Sequence, residues 1–381
     1  MAEIENMNSK NISNCTVKRF YFLSILLLIV VANGALGHEK EILAITNVAH
    51  NRQAFDPSAG QTVIIDFEIN KPASVEITIY DWLGRKIRTF NQPNLDAGNY
   101  SIDWDGNTDE NKPAAGEVFL YVIKATGEDG QTAVYNRAAK TGGYNPKKTK
   151  YKLDKDTGKI EYFLSKTCMV RLHVGLDEGM LARSIFEWKP HTAGRYIHQW
   201  NGKDESGLME ILNYPDLRIN FVCYTLPENS IIKTGKLVPF AVGDNLTREQ
   251  KKQRNIIWAT KGKYAHYQRD PLISHPIKFK VSFPDSDIKK EQVGDVPVVS
   301  GITKTRIEID PADKQHLTNT RFELMVYVDG VFVHETEEGS ILLTFDLDTR
   351  SLSKGPHVIT FNILSYDHYS GILSRKVVVG D

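Results

Sequence analysis

The chain has 381 residues, of which 41% are hydrophobic and 25% are charged. This composition is ordinary for a globular protein of two or three domains, and it excludes low-complexity disorder and a polytopic membrane protein. The 47 Lys and Arg residues balance 47 Asp and Glu residues, so the average charge gives no reason to expect a nucleic acid or an anionic membrane as partner.

The first predicted element is a secretory signal peptide. Lys18 and Arg19 precede an apolar run over residues 20–31, and small residues follow as far as Gly37. The run is shorter than the roughly 20 residues that a membrane-spanning helix needs, which favours a cleaved signal over residues 1–37. We therefore predict secretion across the inner membrane, to the periplasm, the outer surface or the cell exterior, with membrane contact through the transient signal peptide alone.

A sequence pattern of about 95 residues occurs twice. Residues of the first copy recur 95 positions later and, after one inserted residue, 96 positions later. Nine identities with a single insertion predict two copies of one module. The identical pairs are Lys71 and Lys166, Val75 and Val170, Gly84 and Gly179, Arg88 and Arg183, Ala97-Gly98 and Ala193-Gly194, Tyr100 and Tyr196, Trp104 and Trp200, and Gly106 and Gly202.

The first copy shows the pattern of a β-sandwich. Apolar residues alternate with polar or outward positions over residues 63–69 and again over residues 75–79, as in strands with one buried face. Residues 118–125 are nearly all apolar, which is typical of a central strand. Glycines at positions 84 and 106 mark turns between strands.

The first copy resembles a known family in the stretches FDPSAGQ, INKPASVEITIYDWLGRKIRTF and DAGNYSIDWDGNTDENKPAAGEVFLYVIKA. These are similar to the immunoglobulin-like domain of the flagellar hook-capping protein FlgD, which also occurs as a detached module of secreted bacterial proteins. The resemblance covers residues 45–130 well and 150–230 weakly, and it does not extend to a hook-assembly region. It implies an immunoglobulin-like fold and a structural or adhesive habit, and it implies no reaction.

The C-terminal part predicts a third sandwich. Residues 322–328 lead into Asp329-Gly330 and then residues 331–333, which is a strong hairpin signal. Further apolar runs lie at residues 342–347, 356–364 and 377–379. The ending GPHVITFNILSYDHYSG resembles the last hairpin of bacterial extracellular immunoglobulin-like or fibronectin-like modules.

The predicted fold is all-β, with three tandem immunoglobulin-like β-sandwich modules and a basic connecting segment. Within that segment, residues 247–253 predict a short helix with Thr247 as N-cap and Glu249 in the first turn. The modules are predicted over residues 38–135, 145–232 (a divergent copy) and 301–381, and the connector over residues 233–300.

The connector interleaves aromatic and basic side chains. Such a pattern can stack on sugars or bases while it neutralises anions, and in a secreted protein an anionic glycan is favoured over nucleic acid. The alternative is a solvated loop whose aromatic residues pack on the neighbouring sandwich. The candidate binding residues are Lys251, Lys252, Arg254, Trp258, Lys261, Lys263, Tyr264, Tyr267 and Arg269.

A weak calcium-binding pattern occupies residues 103–109. Asp103, Asp105, Asn107 and Asp109 place oxygen atoms at alternate positions, as calcium loops do. The EF-hand pattern is not met, because Thr108 stands where that loop needs Gly and no Glu occupies its twelfth position. The alternative is a solvated turn.

Two cysteines remain after removal of the signal peptide, Cys168 and Cys223. The repeat predicts that both lie on strands of one domain. They either close one disulfide, as secretion permits, or stay as two buried thiols.

No spacing in the sequence is typical of catalysis: HxH, HExxH, GxSxG, paired carboxylates and phosphate-binding glycine loops are all missing. We therefore predict a non-catalytic protein without a cofactor, a component of a cell-envelope-associated or extracellular assembly that docks protein partners through sandwich surfaces and strand edges. The alternative is an accessory carbohydrate- or anionic-polymer-binding protein of an extracellular enzyme or polysaccharide system. A third hypothesis is a hydrolase whose triad is assembled across modules.

The zero net charge conceals segments of opposite sign. Residues 38–130 carry −7, residues 131–230 carry +4, residues 231–290 carry +8 and residues 301–381 carry −4. Neutrality is therefore a cancellation between acidic and basic parts of the chain. This directs the search for an electrostatic partner to residues 231–290, or to head-to-tail contacts between acidic and basic modules of neighbouring copies.

Overall fold

A computed structural model describes residues 41–146, 150–177, 179–238, 247–258, 276–291, 294–318, 321–337, 339, 341–366 and 369–380. The predicted signal peptide lies outside these residues. The fold is all-β, as predicted, and residues 42–381 form one compact unit. Within the described ranges, none of the helices has the length and apolar character needed to cross a membrane.

The first module is a sandwich of two sheets. One sheet has the order β1-β3-β6, and the other contains β5-β4-β7 with β8 beside β7. Val63, Ile65 and Phe67 on β3 are buried between the sheets, which confirms the predicted alternation. The strands are β1 Ile45–His50, β2 Ala54–Phe55, β3 Val63–Ile69, β4 Ala73–Asp81, β5 Lys86–Leu95, β6 Gly98–Trp104, β7 Val118–Thr126 and β8 Thr132–Tyr135. A short helix, α1 Ala138–Thr141, follows.

The second copy of the repeat has the same topology. Its sheets have the orders β9-β10-β13 and β12-β11-β14, which correspond strand for strand to β1-β3-β6 and β5-β4-β7. The tandem repeat is therefore confirmed. The strands are β9 Lys150–Asp154, β10 Lys159–Leu164, β11 Cys168–Leu176, β12 Leu181–His191, β13 Gly194–Gln199 and β14 Leu217–Thr225.

Side chains that are identical in the two copies make the same hydrogen bonds. In each copy a buried tryptophan, a tyrosine and an arginine donate to backbone carbonyl groups of nearby turns, so the repeated residues tie loops to the sheets. The bonds are Trp104 Nε1 to Asn107 O (2.9 Å) and Trp200 Nε1 to Lys203 O (2.8 Å), Tyr100 Oη to Asp96 O (2.8 Å) and Tyr196 Oη to Thr192 O (2.9 Å), and Arg88 Nη1 to Thr108 O (2.8 Å) and Arg183 Nη1 to Asp204 O (3.3 Å).

The chain returns to the first module after the second. Strand β15, Ser230–Lys233, pairs antiparallel with β7 and parallel with β2, so the sheet has the order β2-β15-β7-β4-β5. These residues fall at the end of the predicted second module, yet their hydrogen bonds belong to the first. The chain therefore passes between the two modules twice, once between β8 and β9 and once between β14 and β15.

The C-terminal sandwich begins within the predicted connector, residues 233–300. Strand β16 pairs with β19, and β18 pairs with β24. The sheets have the orders β16-β19-β22 and β17-β18-β24-β23-β20-β21. The elements are α2 Arg248–Ile257, β16 Phe279–Ser282, β17 Asp287–Glu291, β18 Gly294–Val299, β19 Ile302–Ile309, α3 Pro311–Thr318, β20 Phe322–Val328, β21 Val331–Thr336, β22 Leu342–Asp348, β23 Gly355–Ser365 and β24 Ser370–Val379.

The predicted hairpin joins β20 and β21. Asp329 and Gly330 have φ values of +50° and +92°, and Val328 pairs with Val331 across the turn. Two positive φ values are the requirement of the tight hairpin turn that Asp-Gly sequences favour.

A buried lysine marks the end of β15. Lys233 is 2% exposed, its Nζ donates to the carbonyl oxygen of Ala114, and it lies 5.4 Å from the centroid of the Phe119 ring. Burial lowers the pKa of Lys233 from 10.5 to about 8, because desolvation penalises the ammonium form.

This lysine makes the stability of the fold depend on pH. The pKa of Lys233 is lower in the folded protein than in the unfolded chain. The free-energy cost of burying its charge therefore has its full value below about pH 8 and declines as the pH rises towards 10.5. We expect the free energy of unfolding to rise by about 1–2 kcal/mol between roughly pH 7.5 and 9.5, and Lys233→Met to remove that rise. Urea unfolding across this range measures it. Lys236→Met, at an exposed position of the same segment, is the control and keeps the rise; identical pH slopes in wild type and Lys233→Met would contradict the assignment.

Candidate functional site

Helix α2 is the part of the predicted binding stretch that the structure describes most fully. Thr247 is its N-cap, as predicted: the Thr247 hydroxyl accepts from the Gln250 backbone N–H (3.2 Å), and the Gln250 side chain accepts from the Thr247 backbone N–H (2.8 Å). This reciprocal capping fixes the start of the helix. Glu249 lies in the first turn, where its negative charge interacts favourably with the positive end of the helix dipole.

The C-terminal end of α2 is packed on the first module. Trp258 is 2% exposed, its ring centroid lies 4.5 Å from that of Trp82, and its indole N–H donates to the Asp81 carbonyl oxygen (2.9 Å). Arg254 Nε donates to the Trp82 carbonyl oxygen (3.1 Å). The Trp258 ring is therefore covered by protein and is not presented for stacking on a sugar or a base.

The turn at residues 81–84 lies in close contact with helix α2. Gly84 has φ +78°, and a Cβ atom there would lie 2.7 Å from Arg254 Cα. Asp81 is buried and accepts hydrogen bonds from the backbone N–H (2.8 Å) and Nε (2.7 Å) of Arg85. Burial raises the pKa of Asp81, and Arg85 opposes that shift. Gly84 is thus required both by its positive φ and by the close approach of the helix backbone.

The remaining predicted binding residues divide into two sets. Lys251 and Lys252 are exposed on α2, and Arg254 is partly buried. The others lie outside the described residues: Lys261, Lys263, Tyr264, Tyr267 and Arg269. In the described part of the predicted binding stretch, Lys251 and Lys252 are therefore exposed, whereas the aromatic residue Trp258 is buried.

The proposed calcium-binding turn is held by its own hydrogen bonds. Asp105 Oδ1 accepts from the Asn107 backbone N–H (2.9 Å). At the equivalent place in the second copy, Asn201 Oδ1 accepts from the Lys203 backbone N–H (3.2 Å). The neutral side chain of Asn201 makes the same hydrogen bond in the second copy. Capping of the turn is therefore sufficient to explain the presence of Asp105.

The other two Asp residues of this pattern have different surroundings. Asp109 Oδ1 accepts from the Thr89 backbone N–H (3.0 Å), and Asp103 is exposed on β6. Within the described ranges, no three His, Cys, Asp or Glu residues are grouped closely enough to hold a metal ion. Asp103, Asp105 and Asp109 therefore do not form such a group.

The two cysteines lie on adjacent strands of the second copy. Cys168 is on β11 and Cys223 on β14, two positions apart in the register, because Val170 pairs with Cys223. Both are buried free thiols, and Cys168 Sγ donates to the Lys166 carbonyl oxygen (3.1 Å). A hydrogen bond with Cys223 and burial raise the pKa of Cys168, which removes the reactive thiolate.

A buried polar cluster at the junction of the second and third modules was not predicted. His173 Nε2 lies 2.7 Å from Glu187 Oε2, and the hydroxyl groups of Ser184 and Ser370 donate to the same oxygen (3.3 Å each). Ser370 is on β24 of the C-terminal sandwich. The sequence signal was a lone His in an apolar strand, but its partners are 14 or more positions away, which no local spacing reveals.

The second copy uses the same turn for docking as the first. A Cβ atom on Gly179, the equivalent of Gly84, would lie 3.4 Å from the Tyr327 hydroxyl, and one on Gly330 would lie 2.9 Å from Leu176. Nearby, the Asn362 side chain accepts from the backbone N–H of Leu181 (2.7 Å) and donates to its carbonyl oxygen (2.8 Å). One turn of the repeat therefore contacts α2 in the first copy and the C-terminal sandwich in the second.

We expect Trp258→Ala to release α2 from the first module. The lost packing on Trp82 and the lost hydrogen bond to Asp81 together cost about 3 kcal/mol or more, and amide exchange across residues 248–257 accelerates about a hundredfold. Hydrogen exchange with mass spectrometry measures this. Gly84→Ala produces the same release from the other side of the contact, whereas Lys251→Ala, on the exposed side of the helix, leaves exchange unchanged. Equal exchange in Trp258→Ala and wild type would refute the docking.

We expect both cysteines to be unreactive in the native protein. In a chain that starts at residue 38, a small thiol reagent at neutral pH modifies neither residue, and unfolding in guanidinium without a reductant exposes two thiols, because both are buried and the pKa of Cys168 is raised. Cys168→Ser gives one thiol under the same conditions. Recovery of no thiol from the unfolded wild type would show a disulfide instead.

Comparison with known proteins identifies the first module. Residues 53–131 match the FlgD Ig-like domain family. The solved structure of FlgD from P. aeruginosa is 17% identical, with a TM-score of 0.20, over 24% of this chain and 67% of that chain. No curated protein matches the sequence.

Two multi-module structures align along most of the chain. A bacterial ice-binding adhesin is 10% identical with a TM-score of 0.18, over 88% of this chain and 96% of that chain. The fibronectin(III)-like modules of Clostridium thermocellum CbhA are 9% identical with a TM-score of 0.19, over 89% of this chain and 94% of that chain. Residues 53–131 match the FlgD Ig-like domain, and the second copy has the same strand order as this matched module.

Proposed function

We propose that the chain is a non-catalytic structural or binding protein of three sandwich modules, and that it acts outside the inner membrane in an envelope-associated or extracellular assembly. The observation that carries this proposal is that hydrogen bonds connect neighbouring modules. Strand β15 completes a sheet of the first module, and Ser370 of the third completes a buried cluster of the second. These contacts between modules favour a chain that holds its outer surfaces at fixed relative positions, as a structural or binding protein does.

The pairing of the strands supports a refined division into modules. The first module takes in residues 230–233 as well as residues 38–135, and the C-terminal module begins near residue 276, before the predicted start at residue 301. The connector is then reduced to residues 234–275, which include α2.

Two grooves on the first module support a binding role. Two open grooves of about 260 and 370 Å³ lie side by side along β4 and β5 of the first module. Neither is lined by a His or a Cys, and both include Ser74 and Thr126. Carboxylates line both grooves, Glu76 in one and Asp96 and Glu128 in the other, and the Ser74 hydroxyl accepts from the Asn94 backbone N–H (3.3 Å).

An exposed strand edge offers a docking position for a protein partner. Strand β21 is at the end of its six-stranded sheet, and Val331 and Phe332 are 60% and 44% exposed. An open edge with apolar side chains is a place where an extended segment of a partner can add a strand.

Capture of partners from a native envelope fraction tests the proposal. We expect the immobilised chain to retain a defined partner, identified by mass spectrometry, and Val331→Lys to reduce that capture about tenfold, because a charge on the edge opposes strand addition. Ile302→Lys is the matched control, since Ile302 is 59% exposed on a different sheet. Turnover of esterase or glycosidase substrates, or equal capture by the two variants, would contradict the proposal.

The anionic-polymer alternative depends on α2. Lys251 and Lys252 are exposed there, while Trp258 is buried. If this alternative holds, binding of an anionic glycan falls steeply with salt and is lost when Lys251, Lys252 and Arg254 are replaced together.

A further inference from the structure

The two copies of the repeat present equivalent outer sheet faces. Sheet β1-β3-β6 in the first copy corresponds to sheet β9-β10-β13 in the second. On β3, Val63, Ile65 and Phe67 are buried, so the alternate residues of that strand face outwards. The same alternation on β10 buries Ile160 and Tyr162.

The outward face of the first sheet is acidic. Asp66 and Glu68 on β3 and Asp103 on β6 share this face, because Ile64 pairs with Asp103, Asp66 with Ser101 and Glu68 with Asn99. Ile64 is 37% exposed among these carboxylates. None of the residues in β1, β3 or β6 is Lys or Arg. We call this surface the acidic face.

The outward face of the second sheet is basic and more apolar. Two of its side chains are strongly exposed, Phe163 at 47% and Ile197 at 62%. Two carboxylates lie on the same side, Asp154 and Glu161, and Glu161 pairs with Lys159 at 2.8 Å. The four cations are Lys150, Lys152, Lys159 and Arg195. We call this surface the basic face.

The repeat alignment shows that the second face loses a carboxylate and gains cations at equivalent positions, with Lys159 in place of Ile64, while Asp66 corresponds to Glu161. Glu68 of the acidic face corresponds to Phe163. Asn99 and Ser101 correspond to Arg195 and Ile197. One fold therefore supplies two surfaces of the same strand layout, with opposite charge and with apolar side chains near both.

We propose that the acidic face of one copy of this chain docks on the basic face of a second copy. The charges are complementary, and the exposed Phe163 and Ile197 give the basic face apolar area that a purely electrostatic polymer site does not need. The two faces lie on different modules, so each copy in such a pair keeps one face free, and the pair as a whole keeps one acidic and one basic face unoccupied. The contact is heterologous, and repeated copies form a chain unless rotation closes a ring.

This inference rests on the proposed structural function, of which it names one partner. It differs from docking at the β21 edge, because it involves neither Val331 nor the C-terminal sandwich. Failure of self-association leaves capture of another partner untouched, and failure of capture leaves self-association untouched.

Sedimentation velocity of the chain from residue 38 tests the proposal. At low ionic strength (about 20 mM) the wild type shows a mass that rises with concentration, and at about 500 mM salt this association weakens at least tenfold, because exposed charges are screened. One variant neutralises the acidic face, Asp66→Asn with Glu68→Gln and Asp103→Asn. The other neutralises the basic face, Lys150→Gln with Lys152→Gln and Arg195→Gln. Each variant alone stays monomeric.

The mixture of the two variants is the decisive sample. Each retains one intact face, so an equimolar mixture forms a one-to-one dimer that does not grow further. An unchanged urea midpoint in both variants shows that they are folded. A wild type that is monomeric at all concentrations overturns the proposal, and so does self-association that neither variant changes. Binding of heparin or poly-glutamate to the basic face without self-association also overturns it and assigns that face to an anionic polymer.

Discussion

Burial of both faces of the sheet β12-β11-β14 is the constraint on which the arrangement of the modules depends. On its inner side, Val170 and Leu172 lie in the core of the second copy. On its outer side, Met169 and Trp188 pack with Trp82 of the first module. Burying each large apolar side chain stabilises the fold by about 1.5–3 kcal/mol, so separating the modules would expose a second core. The sheet acts as a shared layer between neighbours.

A layer buried on both sides leaves its polar residues in need of partners. Arg171 lies 5.0 Å from the ring centroid of Trp188, and His173 meets Glu187 within the junction to the C-terminal sandwich. Unpaired, each of these groups would cost several kcal/mol through desolvation. Across the junction, the Ser370 hydroxyl donates to Glu187 and the Asn362 side chain bonds both backbone groups of Leu181, so rotation of either module would separate these donors from their acceptors. Outer sheets, free of this constraint, differ in charge and carry the surfaces available for binding.

Local periodicity was sufficient for the strands and for the repeat, because alternation at period two and turn glycines are properties of short segments. Residues 63–69 and the hairpin at Asp329-Gly330 formed as predicted. The role of Trp258 could not be read in the same way. An aromatic residue among lysines has the same local pattern whether its ring stacks on a ligand or on Trp82, and a partner 176 positions away decides which.

The sequence by itself determined the all-β class, the duplicated module, the cap at Thr247 and the alternation of acidic and basic segments, since each depends on residues close together in the chain. Tertiary structure decided where β15 pairs, which face of each sheet is covered, and that charges of opposite sign occupy equivalent outer faces. These outcomes depend on contacts between distant segments, where the burial of apolar area and the pairing of polar groups are set by the packing of whole modules.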